Sequence, residues 1–289
     1  MKSFIIFLGG NFKQLPYLKN LKKKYKIILI DKNINCPGKK YSDIFFKSSY
    51  MDKNKLNKIY LKIRKYKINN IFTASSHFAH IGCSFLAKKF NLSYPKEKNI
   101  KICLDKKLFY PFFKKNKINI PKTYLIKNKI ELRKRLQKID ENKNFFLKSD
   151  YSKNPNYVYY GSPIRLAMKN INWKKDQFFQ KKYILQEKFT GKNLRVNIYK
   201  KKFEIYNFYT GAKIDIKKIP EIKKFKIIEK FRNLVRNLKM SNWLLKFDLI
   251  LNKKEYVALD IGLSPPHRMK SYWEKNNKNF INFYINLYI

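Results

Sequence analysis

In the first hundred residues, short apolar runs alternate with lysine-rich amphipathic stretches. Phe4 to Leu8, Ile27 to Ile30, Ile44 to Phe46 and Ile71 to Thr73 predict strands, separated by helical patterns. That alternation makes parallel βαβ units. Polar and glycine positions gather at the carboxyl ends of these strands: Gly9 and Gly10 after the first, Asp31 closing the second, Ser75 and Ser76 after the fourth. Open α/β sheets bind their ligands at those ends. The Gly9-Gly10 pair lacks the full Gly-x-Gly-x-x-Gly fingerprint, so it implies a tight turn and no dinucleotide.

Past a boundary near residue 100 the pattern changes. A helix is expected from about Ile102 to Lys115, and Pro121 marks entry into an extended segment, Thr123 to Ile126. A helix around Glu131 to Lys138 follows, then strands at Phe145 to Lys148, Ile184 to Glu187, Leu194 to Tyr199 and Phe203 to Phe208. Strands now outnumber helices and lie close together, as in antiparallel sheets. A helix over Ile222 to Leu238 leads to a hairpin, Trp243 to Leu251 and Tyr256 to Ile261, with Asp248 and Asp260 on its arms. An aromatic-rich helix is expected over residues 270 to 289.

At 289 residues, 44% of them hydrophobic and 17% aromatic, the chain can bury a large core in two or three compact units. Its formal charge of +48 invites a nucleic-acid or anionic-membrane reading. The distribution argues against it: lysines are scattered through every segment, no basic block or recognised motif appears, and the excess of Lys, Asn, Ile, Phe and Tyr matches the bias of an AT-rich genome. No segment reaches the roughly 20 apolar residues that span a bilayer, and the first residues lack a signal-peptide core. Cys36, Cys83 and Cys103 show no metal or disulfide spacing, which suits buried thiols in a reducing, cytoplasmic setting. His77 and His80 are expected on one helix face with no acidic partner to complete a metal site.

Asp105-Lys106, a helix, and then Ile118-Asn119-Ile120-Pro121-Lys122 form one junction. Phe145-Phe146-Leu147-Lys148 ends a strand on a lysine, Ile184-Leu185-Gln186-Glu187-Lys188-Phe189 ends another on an acid, and Asn193-Leu194-Arg195-Val196 opens a third. With the two aspartate strands, this order over nearly the whole chain resembles the ATP-grasp superfamily. The likeness is to the carbamoyl-phosphate-synthase-like and biotin-carboxylase-like carboxylate-amine ligases that carry an N-terminal Rossmann-like domain.

The resemblance implies a mixed α/β and α+β fold: a pre-ATP-grasp domain over residues 1–98 and an ATP-grasp domain over 99–289. The latter would comprise a small lobe at about 120–190 and a C-terminal lobe at about 191–289. Mg-ATP is expected between the lobes. Lys106, with Lys107 as the alternative, and Lys148 would contact the phosphates, and Ser152 and Lys153 would lie in the lid over them. Gln186, Glu187 and Phe189 would meet the adenine, and Asn193 the ribose. Arg195 would face the transferring group and Arg268, with His267 as the alternative, would hold the acceptor or the acyl phosphate, while Asp248 and Asp260 would hold Mg²⁺. Arg195 has a plain alternative as a cross-strand ion pair. Expected partners are small carboxylate and amine substrates, and a homodimer is compatible with the reading.

The chain departs from the family pattern at identifiable points. The lid segment Tyr151 to Val158 lacks both expected glycines, and Asn193 stands in place of an acid. Asp260 replaces a glutamate, and Gly262 occupies the position of an asparagine. These departures raise an alternative from another class, a nucleotide-binding protein without turnover on the same fold.

Overall fold

The computed structural model describes residues 3–149, 158–167, 183–200, 202–263, 265, 267–276 and 279–289. Within them lie three sheets and eleven α-helices.

The first sheet is formed by β1 (Phe4–Leu8), β2 (Lys26–Asp31), β3 (Ile44–Lys47) and β4 (Ile68–Phe72), in the order β3-β2-β1-β4. Every pairing in it is parallel. α1 (Leu15–Lys22), α2 (Lys53–Ile63) and α3 (Ala79–Lys89) connect or follow these strands. The expected βαβ alternation is realised around α1 and α2, whereas β2 passes to β3 through a short 3-10 turn, Pro37–Tyr41; β1 and β2 are apolar on both faces and are covered on both.

α4 (Glu97–Leu104) and α5 (Lys106–Lys115) replace the single helix expected from Ile102 to Lys115. The break is at Asp105, whose extended backbone ends α4 and whose carboxylate accepts from the Lys107 N–H at 2.8 Å to cap α5. The helix expected over Ile222 to Leu238 is likewise divided, into α8 (Pro220–Lys224) and α9 (Ile227–Asn237), with Lys226 between them in the left-handed region at φ 51°.

The small sheet takes the order β5-β8-β6-β7. It contains β5 (Thr123–Ile126), β6 (Phe145–Ser149), β7 (Val158–Gly161) and β8 (Tyr183–Glu187), all antiparallel, with α6 (Lys129–Leu136) and α7 (Pro163–Ala167) beside them. The third sheet is also antiparallel, in the order β11-β10-β9-β12-β13. Its strands are β9 (Lys192–Tyr199), β10 (Lys202–Asn207), β11 (Lys213–Ile214), β12 (Leu245–Leu251) and β13 (Tyr256–Gly262).

Leu194, Val196, Phe247 and Leu249 from one face of this sheet join Phe231, Leu234 and Val235 of α9 in the largest core. Fully burying side chains of this size contributes about 1.5–3 kcal/mol each. The aromatic C-terminal segment forms two helices, α10 (His267–Lys275) and α11 (Phe280–Asn286), where one was expected. α11 packs back onto the first sheet, with Tyr284 and Phe280 beside Tyr17 and Phe72. Among the described residues, no helix is long and apolar enough to cross a membrane.

Candidate functional site

On the face of the third sheet away from α9, three side chains lie in a row across adjacent strands. Register puts Asp248 of β12 opposite Arg195 of β9 on one side and opposite Asp260 of β13 on the other. Arg195 Nε donates to Asp248 Oδ1 at 2.7 Å and its second nitrogen to Oδ2 at 3.1 Å, a two-pronged contact. The guanidinium also lies over the Phe208 ring, 4.9 Å from its centre. The cross-strand pairing is therefore present, and it ties Arg195 to the first carboxylate.

Asp260 is placed by an irregularity in the ladder. Asp248 pairs with Asp260 but Leu249 pairs with Ala258, so Leu259 is an extra residue in β13. A bulge of this kind lets consecutive side chains leave on the same side of the sheet. Leu259 and Asp260 accordingly both line one cavity, of about 320 Å³, together with Lys106, Lys148, Asn193, Phe208, Asp248 and Leu249. Five of the residues singled out in sequence thus converge from α5, β6, β9, β12 and β13.

Lys106 stands at the first turn of α5, which buried Phe109, Tyr110 and Phe113 anchor to the core. Lys107 lines a neighbouring pocket with Tyr110, Pro111 and Ile120, and Lys106 lines both cavities. Lys148 ends the apolar run of β6, and its Nζ donates to Gln186 Oε1 at 2.6 Å. Gln186 is buried and donates from Nε2 to Tyr110 Oη at 2.7 Å and Thr123 Oγ1 at 3.1 Å. Burial pushes the Lys148 ammonium down from 10.5 to about 8; the like charge of Lys106 adds to the fall and Asp260 opposes it.

Gln186, Glu187 and Phe189 are not among the residues that line this cavity. Gln186 faces Lys148, α5 and β5. Glu187 ion-pairs with Lys143 at 2.6 Å, and Phe189 is half-buried in the loop after β8; neither lines the cavity. Ser152, Lys153 and the side chain of Arg268 lie outside the described residues. His77 is in the turn before α3, so it does not share a helix face with His80, which opens that helix.

The donor set suits a hard cation. Carboxylate oxygens are the ligands Mg²⁺ takes, usually one or two of them with substrate phosphates completing the shell. Asp260 supplies such a group beside two lysines, although one of its oxygens accepts from the Ile261 N–H at 3.0 Å and both oxygens of Asp248 accept from Arg195. Among the described residues no three His, Cys, Asp or Glu cluster as a metal cage.

The chain has the ATP-grasp fold. It superposes on the L-amino acid ligase from Bacillus licheniformis with a TM-score of 0.70 and 12% identity, over 99% of this chain and 74% of that one. The N5-carboxyaminoimidazole synthetase of Staphylococcus aureus, complexed with ADP, gives 0.68 and 13% identity over 94% and 73%. Phosphoribosylglycinamide synthetase from Anaerococcus prevotii gives 0.60 and 17% identity over 91% and 68%. No family model and no curated protein matches the sequence.

Proposed function

We propose that this protein is an ATP- and Mg²⁺-dependent ligase that activates a carboxylate as an acyl phosphate and passes it to an amine or other nucleophile. The observation that carries the reading is the convergence of Lys106 and Lys148 with Asp248 and Asp260 around one cavity between the small sheet and the third sheet. Cations from separate elements facing a carboxylate pair suit a triphosphate gripped with a divalent ion, where catalysis is mainly positioning and electrostatics. The division into residues 1–98 and 99–289 is part of this reading.

Lys106 and Lys148 would neutralise phosphate oxygens, and the polar triad beneath Lys148 fixes its direction. Asp260, with Asp248, would hold Mg²⁺, which supplies further neutralisation of the phosphates when bound. Arg195 would hold Asp248 in place and present positive charge to the transferring group. A carboxylate oxygen of the substrate would attack the γ-phosphorus, breaking its bond to the β-bridging oxygen and releasing ADP. The amine would then attack the acyl carbon, and phosphate would leave with the bonding electrons. The Asn193 amide would accept from a ribose hydroxyl. The carboxylate and amine would approach from the strand ends of the first sheet and the segment that carries Arg268.

The likeness to an amino-acid ligase supports small carboxylate and amine substrates, and the buried unpaired thiols of Cys36, Cys83 and Cys103 suit a cytoplasmic setting. One observation favours a second reading, nucleotide binding without turnover: both oxygens of Asp248 are already engaged by Arg195. Incubation with ATP, Mg²⁺, pooled amino acids and hydroxylamine separates the two. The ligase reading expects hydroxamate and ADP in equal amounts. ATP binding without either product across the pool would favour the second reading.

A further inference from the structure

Among the described residues β13 is the edge strand of the third sheet, with β12 as its ladder neighbour. That ladder is also disturbed by the bulge at Leu259, next to Asp260. Two contacts from outside the sheet straddle the aspartate. The Ala258 N–H donates to the Asn119 carbonyl at 2.8 Å. The Leu263 N–H donates to His77 Nδ1 at 2.9 Å, joining residues 186 apart in sequence.

His77 is 4% exposed. An Nδ1 that accepts leaves the ring proton on Nε2, so the imidazole in this arrangement is neutral. The ring also explains a departure from the family pattern. A Cβ built on Gly262 would stand 2.9 Å from His77 Cε1 and would run into the Lys246 stem. The space an asparagine would need is taken by these two side chains.

We propose that His77 is a positioning residue for the carboxylate row: as a neutral acceptor it pins the exit of β13 and so holds Asp260 opposite Asp248. This rests on the nucleotide reading of the cleft. The same turn belongs to the carboxyl edge of the first sheet. It carries Ser75, which lies 2.7 Å from where a Cβ on Gly9 would stand, and Ser76, whose Oγ is 2.9 Å from Tyr50 Oη. The contact therefore joins the carboxyl edge of one sheet to the carboxylates of another.

The test compares His77→Leu with His77→Asn, whose side-chain carbonyl can take the place of Nδ1. Amide exchange at Leu263 is expected to be slow in the parent and the Asn variant and about tenfold faster in the Leu variant, the effect of one lost hydrogen bond. Mn²⁺ affinity in the presence of ADP, read by electron paramagnetic resonance, should fall about tenfold in the Leu variant and be largely restored by Asn. Unchanged exchange in the Leu variant would overturn the contact. Faster exchange with unchanged Mn²⁺ affinity would overturn its positioning role. Should the Leu variant not fold, His77→Ala, which also lacks an acceptor, takes its place. Failure of the parent to bind Mn²⁺ with ADP would overturn the nucleotide reading first, and this proposal with it.

Discussion

Arg195 and Asp248 face each other across β9 and β12 and share two hydrogen bonds, of 2.7 and 3.1 Å, with only 14% and 21% of their side chains exposed. A pair this sheltered is costly to break from one side, because the surviving charge is left poorly solvated. Arg195→Ala should therefore lower stability by about 2 kcal/mol. Asp248→Asn in the same chain should recover part of that loss. Urea denaturation of both single variants and the double variant measures the coupling, expected at about 1–2 kcal/mol. Additive losses would mean that the contact is not maintained in solution.

Lys148 yields a prediction with a defined sign. Its ammonium titrates near 8 in the folded chain and near 10.5 when unfolded. Between these values the unfolded chain holds a proton that the folded chain has lost, so stability rises with pH across that window. Below pH 8 the folded state carries the full cost of the buried charge, roughly 3 kcal/mol. Lys148→Met removes that cost but leaves the buried Gln186 Oε1 without its donor, so its stability relative to the parent should be highest below pH 8 and decline from pH 8 to 10.5. A difference that does not change with pH would contradict the placement.

The same titration governs ligand binding. As pH rises above 8 the free protein loses the Lys148 charge, and ATP affinity should fall by up to about tenfold per pH unit, a loss that Lys148→Met abolishes. Fluorescence titration with an ATP analogue over pH 7 to 10 reads this slope.

The formal charge of +48 predicts a salt response. Like charges repel in the compact state, and ions screen them within about 10 Å at 0.1 M. The melting temperature should rise by several degrees between about 20 and 300 mM NaCl. A flat response would mean that the surface lysines are already neutralised by their neighbours.

Much of this was legible in sequence because it depends on local pattern. Apolar runs ending in glycine or serine marked the parallel sheet, and the hairpin was visible as two aspartate-bearing strands around Asn252 to Glu255. Lys148 stood out because it closes an apolar strand.

What escaped was whatever depends on register or on distant contact. Strand periodicity cannot say which residue faces Arg195, so an ion pair and a phosphate contact stayed open as alternatives. The bulge at Leu259 has no local signal, since Leu-Asp-Ile continues an ordinary strand. His77 looked like a helix residue because its partner lies 186 positions away. Gln186, expected at the adenine, is drawn to Lys148 by a network spanning three segments.

Isothermal titration of Mg-ATP into the parent protein, Lys148→Ala and Asp260→Ala decides whether the cleft holds a nucleotide. One saturable site is expected in the parent, with a loss of at least tenfold in affinity for each variant, the effect of removing one charged contact. Equal binding in all three proteins, or no binding in the parent, would mean that the cleft is not the nucleotide site.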